Sequence, residues 1–222
     1  MLHSIEAVIF DMDGVLLDTE TVYREAAFHA ARRLGFEMTD AVHRQTIGVP
    51  GDVSDTLFLE TYGPDFPLAT FYVHWHGYLR DAWAREVPVK PGVVEFLDHL
   101  AGRNLPVAVA TSSGRKTAEN HLSRAGLIAR FAAIVTADDV VNGKPHPEPF
   151  LTAASRLKIA PAACLALEDS HNGVRAAHAA GMVTIMVPDL LAPIAEIEAL
   201  CFAVIDDLHG VRAAMAAARE RT

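Results

Sequence analysis

Cysteine is scarce. The chain of 222 residues has two, Cys164 and Cys201, too few for a disulfide scaffold. Both lie in apolar stretches, which suits reduced, buried thiols and a cytoplasmic location. Positive charge is also short: 19 Lys and Arg against 28 Asp and Glu give a net charge of −9. An acidic surface repels phosphate backbones and anionic lipid, so neither nucleic acid nor a membrane is expected as a partner. A local cationic pocket for a small anion is compatible with that balance. No apolar run approaches the roughly 18 residues of a membrane span. The opening Met-Leu-His-Ser-Ile-Glu has no positive region ahead of an apolar stretch, so no secretory signal is expected. What is abundant is apolar material, 51% hydrophobic against 21% charged residues. That suits one α/β domain, alone or carrying a smaller insert.

Aromatic residues are few and unevenly placed. Eleven of the sixteen lie between Tyr23 and Trp83, whereas all four lysines lie at or after Lys90. This shift marks an inserted unit, 17–88, within a core made of 1–16 and 89–222. In the core, short apolar runs at 6–10, 105–110, 132–135, 164–167 and 182–187, with a weaker sixth at 202–205, read as buried strands. Segments of helix length lie between them at 92–103, 114–125, 147–157 and 171–180. The alternation predicts a doubly wound, Rossmann-like parallel sheet covered on both faces. The insert reads as all-helical. Residues 19–34 keep apolar positions at helical spacing, with Asp18 or Thr19 as N-cap and Gly35 as stop. Phe71, Trp75 and Tyr78 fall at i, i+4 and i+7 and are expected to form a packing seam. Asp18 and Glu20 are expected as acids favoured by a helix N-terminus.

The chemistry collects where the expected strands end. The first runs into Asp11-Met12-Asp13-Gly14 and then Asp18, acids that are costly to crowd together unless a cation or donors compensate. The second delivers Thr111-Ser112-Ser113, the fourth Glu168-Asp169-Ser170, and Lys144 sits in the loop Asn142-Gly-Lys-Pro-His-Pro147. In open parallel sheets ligands bind at the carboxyl ends of strands, so these groups are expected to converge. Carboxylates from two strands, Asp11 and Asp169, make a hard-oxygen site suited to Mg2+. A hydroxyl, a lysine and a metal can hold the oxygens of a phosphoryl group. One carboxylate can attack phosphorus and another can move the proton.

The set Asp-x-Asp-Gly-x-x-x-Asp after a strand, a later strand ending in Thr/Ser, a Lys-Pro loop and Glu-Asp-Ser-x-x-Gly resembles the haloacid dehalogenase superfamily. More narrowly, it resembles the branch with a helical cap after the first motif, which includes phosphoglycolate phosphatase and β-phosphoglucomutase. The resemblance runs from about Glu6 to Val187. It implies that Asp11 is nucleophile and metal ligand, and that Asp13 is general acid/base with its carbonyl on the metal. It also implies that Thr111 binds the phosphoryl group, Lys144 neutralises it, Asp169 binds metal and Glu168 supports metal-bound water. Closure of the cap would exclude water and supply specificity. Thr19, Ser112 and Arg115 are candidate contacts for the phosphate or the rest of the substrate.

The expected activity is Mg2+-dependent hydrolysis of a small phosphate ester by a monomer. A phosphomutase of the β-phosphoglucomutase kind is the alternative. Mutases of the family carry a histidine and, after a Gly-Val, an arginine, where this chain has Tyr23 and, after Gly48-Val49-Pro50, Gly51. A dehalogenase typically lacks the acid at Asp13. A phospho-acceptor signalling module would carry its acceptor on a middle strand and have no cap.

Overall fold

The computed structural model describes residues 2–47, 51–85 and 87–220. The chain divides into two compact units, Thr19–Val87 and a larger one built from Met1–Asp18 and Pro88–Thr222. The larger unit opens with strand β1 (Ala7–Phe10). The smaller unit holds helices α1 (Thr19–Arg33), α2 (Asp40–Arg44), α3 (Gly51–Tyr62) and α4 (Leu68–Arg85). The larger unit resumes with α5 (Val93–Ala101), β2 (Val107–Ala110), α6 (Arg115–Arg124), β3 (Ala133–Val135) and α7 (Glu148–Leu157). It continues through β4 (Cys164–Glu168), α8 (His171–Ala179), β5 (Val183–Met186), α9 (Ala195–Glu198), β6 (Ala203–Val204) and α10 (Leu208–Glu220).

The six strands form one parallel sheet in the order β3-β2-β1-β4-β5-β6. β1 lies at the centre, paired on one side with β2 (Phe10 opposite Val109) and on the other with β4 (Phe10 opposite Leu167). The chain winds outward from β1 in both directions, and a crevice between oppositely wound halves is where such sheets bind ligands. β1, β2 and β4 are buried along their whole length, which explains their unbroken apolar runs. Alanines line one sheet face (Ala108, Ala110, Ala166) and the helix facing it (Ala153, Ala154), so α7 approaches closely and Phe150 is fully buried there. Truncating Phe150 to Ala should cost about 3–5 kcal/mol.

β4 runs one residue further than expected, to Glu168, while the other strands are shorter than their apolar runs. α10 was not among the expected elements. Alanine dilutes its pattern, yet it buries Leu208, Val211 and Met215 at i, i+3 and i+7.

The smaller unit is helical throughout its described elements. Its core sets Phe58, Phe66 and Phe71 against the alanine face of α1, Ala27, Ala30 and Ala31. Phe71 is core, as the seam reading requires. Trp75 and Tyr78 pack against the same helical core, around Val22, Ala26 and Leu79, and stay half-buried. Gly48, Val49 and Pro50, part of the mutase comparison, lie outside the described residues. In the larger unit the segments leading out to the insert and back from it pair with each other. Asp18 N–H donates to Pro88 O (2.9 Å), Lys90 N–H donates to Leu16 O (3.0 Å), and Leu17 bridges Val89.

Candidate active site

Asp11 follows β1 directly, and its N–H continues the ladder to Leu167 O at 2.9 Å. That bond fixes Asp11 at the carboxyl edge beside the end of β4. The chain then turns sharply, with the N–H groups of Leu16 and Leu17 both donating to Met12 O at 3.0 Å. Gly14 sits in this turn at φ +84°, where a Cβ would lie 2.2 Å from Asp169 Oδ2. Only glycine allows both the backbone and that approach. The motif glycine is thus a steric requirement of the acid cluster.

Lys144 joins the two strands. Its Nζ donates to Asp11 Oδ1 and to Glu168 Oε1, with the lysine side chain 5% exposed, and it stands 5.1 Å from the centre of the Phe150 ring. Glu168 is fully buried. Its second oxygen accepts from the N–H and Oγ of Ser170 (3.3 and 3.1 Å). α8 passes so close that a Cβ on Gly173 would lie 1.9 Å from Glu168 Cδ. The glycine five residues after the glutamate therefore clears space for its carboxyl group. Ser170 accepts from Gly173 N–H at 3.0 Å and caps α8, which accounts for it structurally.

Three carboxylates, from Asp11, Glu168 and Asp169, each place an oxygen within 4.8 Å of the others. Burial pushes the Asp11 carboxyl well above the usual range; Lys144 opposes this, while Glu168 and Asp13 add to it. Asp169 is raised in the same way by burial, then by Asp11 and Glu168, with Asp189 adding. Burial works against the lysine's charge, but Asp11 and Glu168 outweigh it and hold the ammonium protonated. One lysine thus serves three acids, and the deficit is one a divalent cation would fill. The donors are all hard carboxylate oxygens, which fits Mg2+.

The next strand supplies hydroxyls. Thr111 continues β2 by donating its N–H to Val135 O (2.9 Å), and its Oγ1 accepts from Ser113 N–H (3.0 Å). Accepting that bond leaves the Thr111 hydroxyl proton to serve as a donor. Ser113 Oγ donates to Asp13 Oδ2 at 3.0 Å. That link orients Asp13, whereas Ser112, the candidate phosphate contact, is exposed. Arg115 is engaged away from this cluster. Its guanidinium pairs with Glu119 (2.8 Å) and with Asp139. Thr19 opens α1 in the helical unit and is buried there. Asp189, which adds to the upward push on Asp169, is paired with Lys90 at 2.6 Å, and neither stands out in the sequence.

A doubly wound sheet with lysine-bridged acids and hydroxyls at its central carboxyl edge defines an enzyme built to handle a small, highly charged group. Comparison with known proteins narrows the class. Residues 8–187 match the haloacid dehalogenase-like hydrolase family, and the chain belongs to it. The "Phosphorylated carbohydrates phosphatase" of Thermotoga maritima is 36% identical over 181 residues, 82% of this chain and 84% of that protein. Among solved structures, a "putative beta-phosphoglucomutase" from Thermotoga maritima superposes with a TM-score of 0.81 at 32% identity, covering 98% of this chain and 100% of the other. A family hydrolase from Deinococcus radiodurans, with bound phosphate and sodium, gives a TM-score of 0.85 at 26% identity over 98% and 97% of the two chains. The chain is an enzyme, a phosphoric monoester hydrolase. Among the described residues no helix is long and apolar enough to cross a membrane.

Proposed function

We propose that the chain hydrolyses a small phosphorylated carbohydrate, or a metabolite of similar size, through an aspartyl-phosphate on Asp11. The observation that carries this reading is the Lys144 bridge between Asp11 and Glu168, with Asp169 within reach of the same cation. An Asp11 carboxylate oxygen attacks phosphorus, and the bond from phosphorus to the alcohol oxygen breaks. Asp13, oriented by Ser113, gives its proton to the departing oxygen. It then takes a proton from water, whose oxygen attacks phosphorus, releasing phosphate and restoring Asp11. Thr111 and Lys144 hold the phosphoryl oxygens by hydrogen bonding and charge. Asp11 and Asp169, with the Asp13 carbonyl, are the proposed Mg2+ ligands, and Glu168 supports that site. When bound, the cation supplies charge compensation to the phosphoryl group.

The helical unit is assigned the role of the family's cap and of its specificity, with Thr19 among its candidate contacts. The working unit is taken to be a monomer in the cytoplasm, a setting that suits the two free thiols. The carbohydrate class is favoured by the named activity of the Thermotoga relative. A phosphomutase is the second reading, favoured by the structural likeness to the Thermotoga protein.

A phosphate-release screen over sugar, polyol and glycolyl phosphates with Mg2+ tests the proposal. Turnover of at least one ester, lost on chelation, is expected. A rearranged sugar phosphate appearing in place of free phosphate would transfer the case to the mutase. No release from any ester, with Mg2+ present, would overturn the hydrolase proposal.

A further inference from the structure

The helical unit, taken by itself, contains a cavity of ≈ 680 Å³. Its volume lies in the range of small-molecule sites, about 300–1,000 Å³. Aromatic rings make much of its wall. Tyr23 and Trp75 stack at 5.7 Å with their planes 29° apart, and the indole N–H donates to Tyr23 O at 3.3 Å. Phe58 and Phe71 close the inner side, 5.0 Å apart. A wall of rings alone would suit any flat apolar molecule.

The charged groups make it selective. Glu20, Asp52 and Asp55 all line the space, and none of the described lining residues is a lysine or arginine. Asp55 is held in place by the Tyr72 hydroxyl, which donates to it at 2.6 Å. His43, also in the wall, is pushed toward its neutral form by burial and then by Arg24. Arg24 itself is taken up by Asp40 at 2.6 Å and lies over the Phe28 ring. Three carboxylates and several ring faces thus line a space with no lysine or arginine among its described lining residues.

We propose that this cavity binds a small organic molecule bearing a protonated nitrogen. A cation gains from ring faces and from carboxylates together, whereas an anion of the same shape meets repulsion from the three acids. These acids disfavour a second phosphate or a carboxylate on the ligand, which bisphosphates and phosphorylated acids would both carry. The ligand is either the organic part of the phosphate ester or a separate molecule. The charge preference is the same for both sources and does not rest on the phosphatase reading.

Three molecules of one shape test the charge preference: 2-phenylethylamine, 2-phenylethanol and phenylacetate, titrated into the full chain while tryptophan fluorescence is followed. Trp75 in the wall provides the signal. The amine is expected to give a saturable change, about tenfold tighter than the alcohol, with no saturation by the acid. Asp52→Asn should weaken the amine by about fivefold to tenfold while leaving the circular dichroism unchanged. Glu20→Gln, on a different helix, should do the same and covers a failure of the first variant to fold. Absence of a saturable response to the amine would overturn the proposal, as would equal binding of phenylacetate. Inhibition of phosphate release by the amine, competitive with the ester, assigns the site to the ester's organic part. Binding that leaves the kinetics unchanged assigns it to a separate ligand. Because fluorescence needs no turnover, an inactive protein that still binds the amine would separate this proposal from the phosphatase reading.

Discussion

A single aspartate and a cluster of three acids lie beyond the carboxyl ends of strands in the same α/β unit, and they are built in opposite ways. Beyond β3, Asp139 accepts from Arg156 (2.7 Å) and from the N–H and hydroxyl of Thr136 (2.8 Å each), and it also pairs with Arg115. Burial opposes its charge, but Arg156 and Thr136 outweigh that and hold the carboxyl well below the usual range. Beyond β1 and β4, Asp11, Glu168 and Asp169 share one lysine, and burial with mutual repulsion raises Asp11 and Asp169. The first acid has all the donors it can use, so it fastens a loop. The second group is short of positive charge, so the fold bears a cost that only an arriving cation or substrate relieves. Counting donors against acids separates structural from functional carboxylates here better than burial does.

Removing single members of the deficient cluster breaks this contrast most strongly. Asp11→Asn is expected to lower turnover by at least about 10³-fold, read as phosphate release. Its thermal midpoint should stay level or rise, because one of three crowded acids is gone while Lys144 keeps Glu168. A variant that keeps wild-type turnover would remove Asp11 from the mechanism. Lys144→Met should lose activity and also about 3–5 kcal/mol of stability in denaturant unfolding, since two buried carboxylates are left without their cation.

Adding charge should do the reverse of removing it. At a hundredfold excess over its Kd, Mg2+ should stabilise the protein by about 2.7 kcal/mol, seen as a raised thermal midpoint. The shift should shrink in Asp169→Asn, which loses one proposed ligand. Chelation should return the midpoint and stop phosphate release together. Mg2+ that raises neither stability nor turnover would mean that the carboxylate deficit has another purpose.

The deficient half of this contrast is legible in the sequence; the satisfied half, Asp139 with Arg156 and Thr136, is not. The sheet was legible because β1, β2 and β4 are buried on both faces and so write unbroken apolar runs, Ala-Val-Ile-Phe being the plainest. The cluster was legible because acids at the end of such a run have no structural reason to be there. What escaped depends on distance in space. Ser113 reaches Asp13 across a hundred positions of sequence, and beside Ser112 nothing in the local pattern favours one hydroxyl over the other. Arg115 opens a helix exactly as a substrate contact would, but its partner Asp139 lies 24 residues on. The glycine at 173 is intelligible only once α8 is seen against Glu168. Spacing put Phe71 and Trp75 on one helical face, and spacing cannot tell whether rings meet other rings or a cavity.

The smallest effect tests the other half of the comparison. Asp139→Asn should keep the site's chemistry, with turnover per folded molecule unchanged, and should cost about 1–3 kcal/mol of stability at neutral pH. The sign with pH follows from its lowered folded value. An unfolded aspartate titrates near about 3.9, so the ionised network favours the folded state above that pH and its contribution fades as pH falls toward the lower folded value. Unfolding midpoints of wild type and variant, measured from pH 7 downward, should therefore lie apart at neutral pH and converge in acid. Curves that stay parallel would mean that Asp139 acts through shape and hydrogen bonds alone. A large loss of turnover would place it with Asp11, and the division between satisfied and deficient acids would fail.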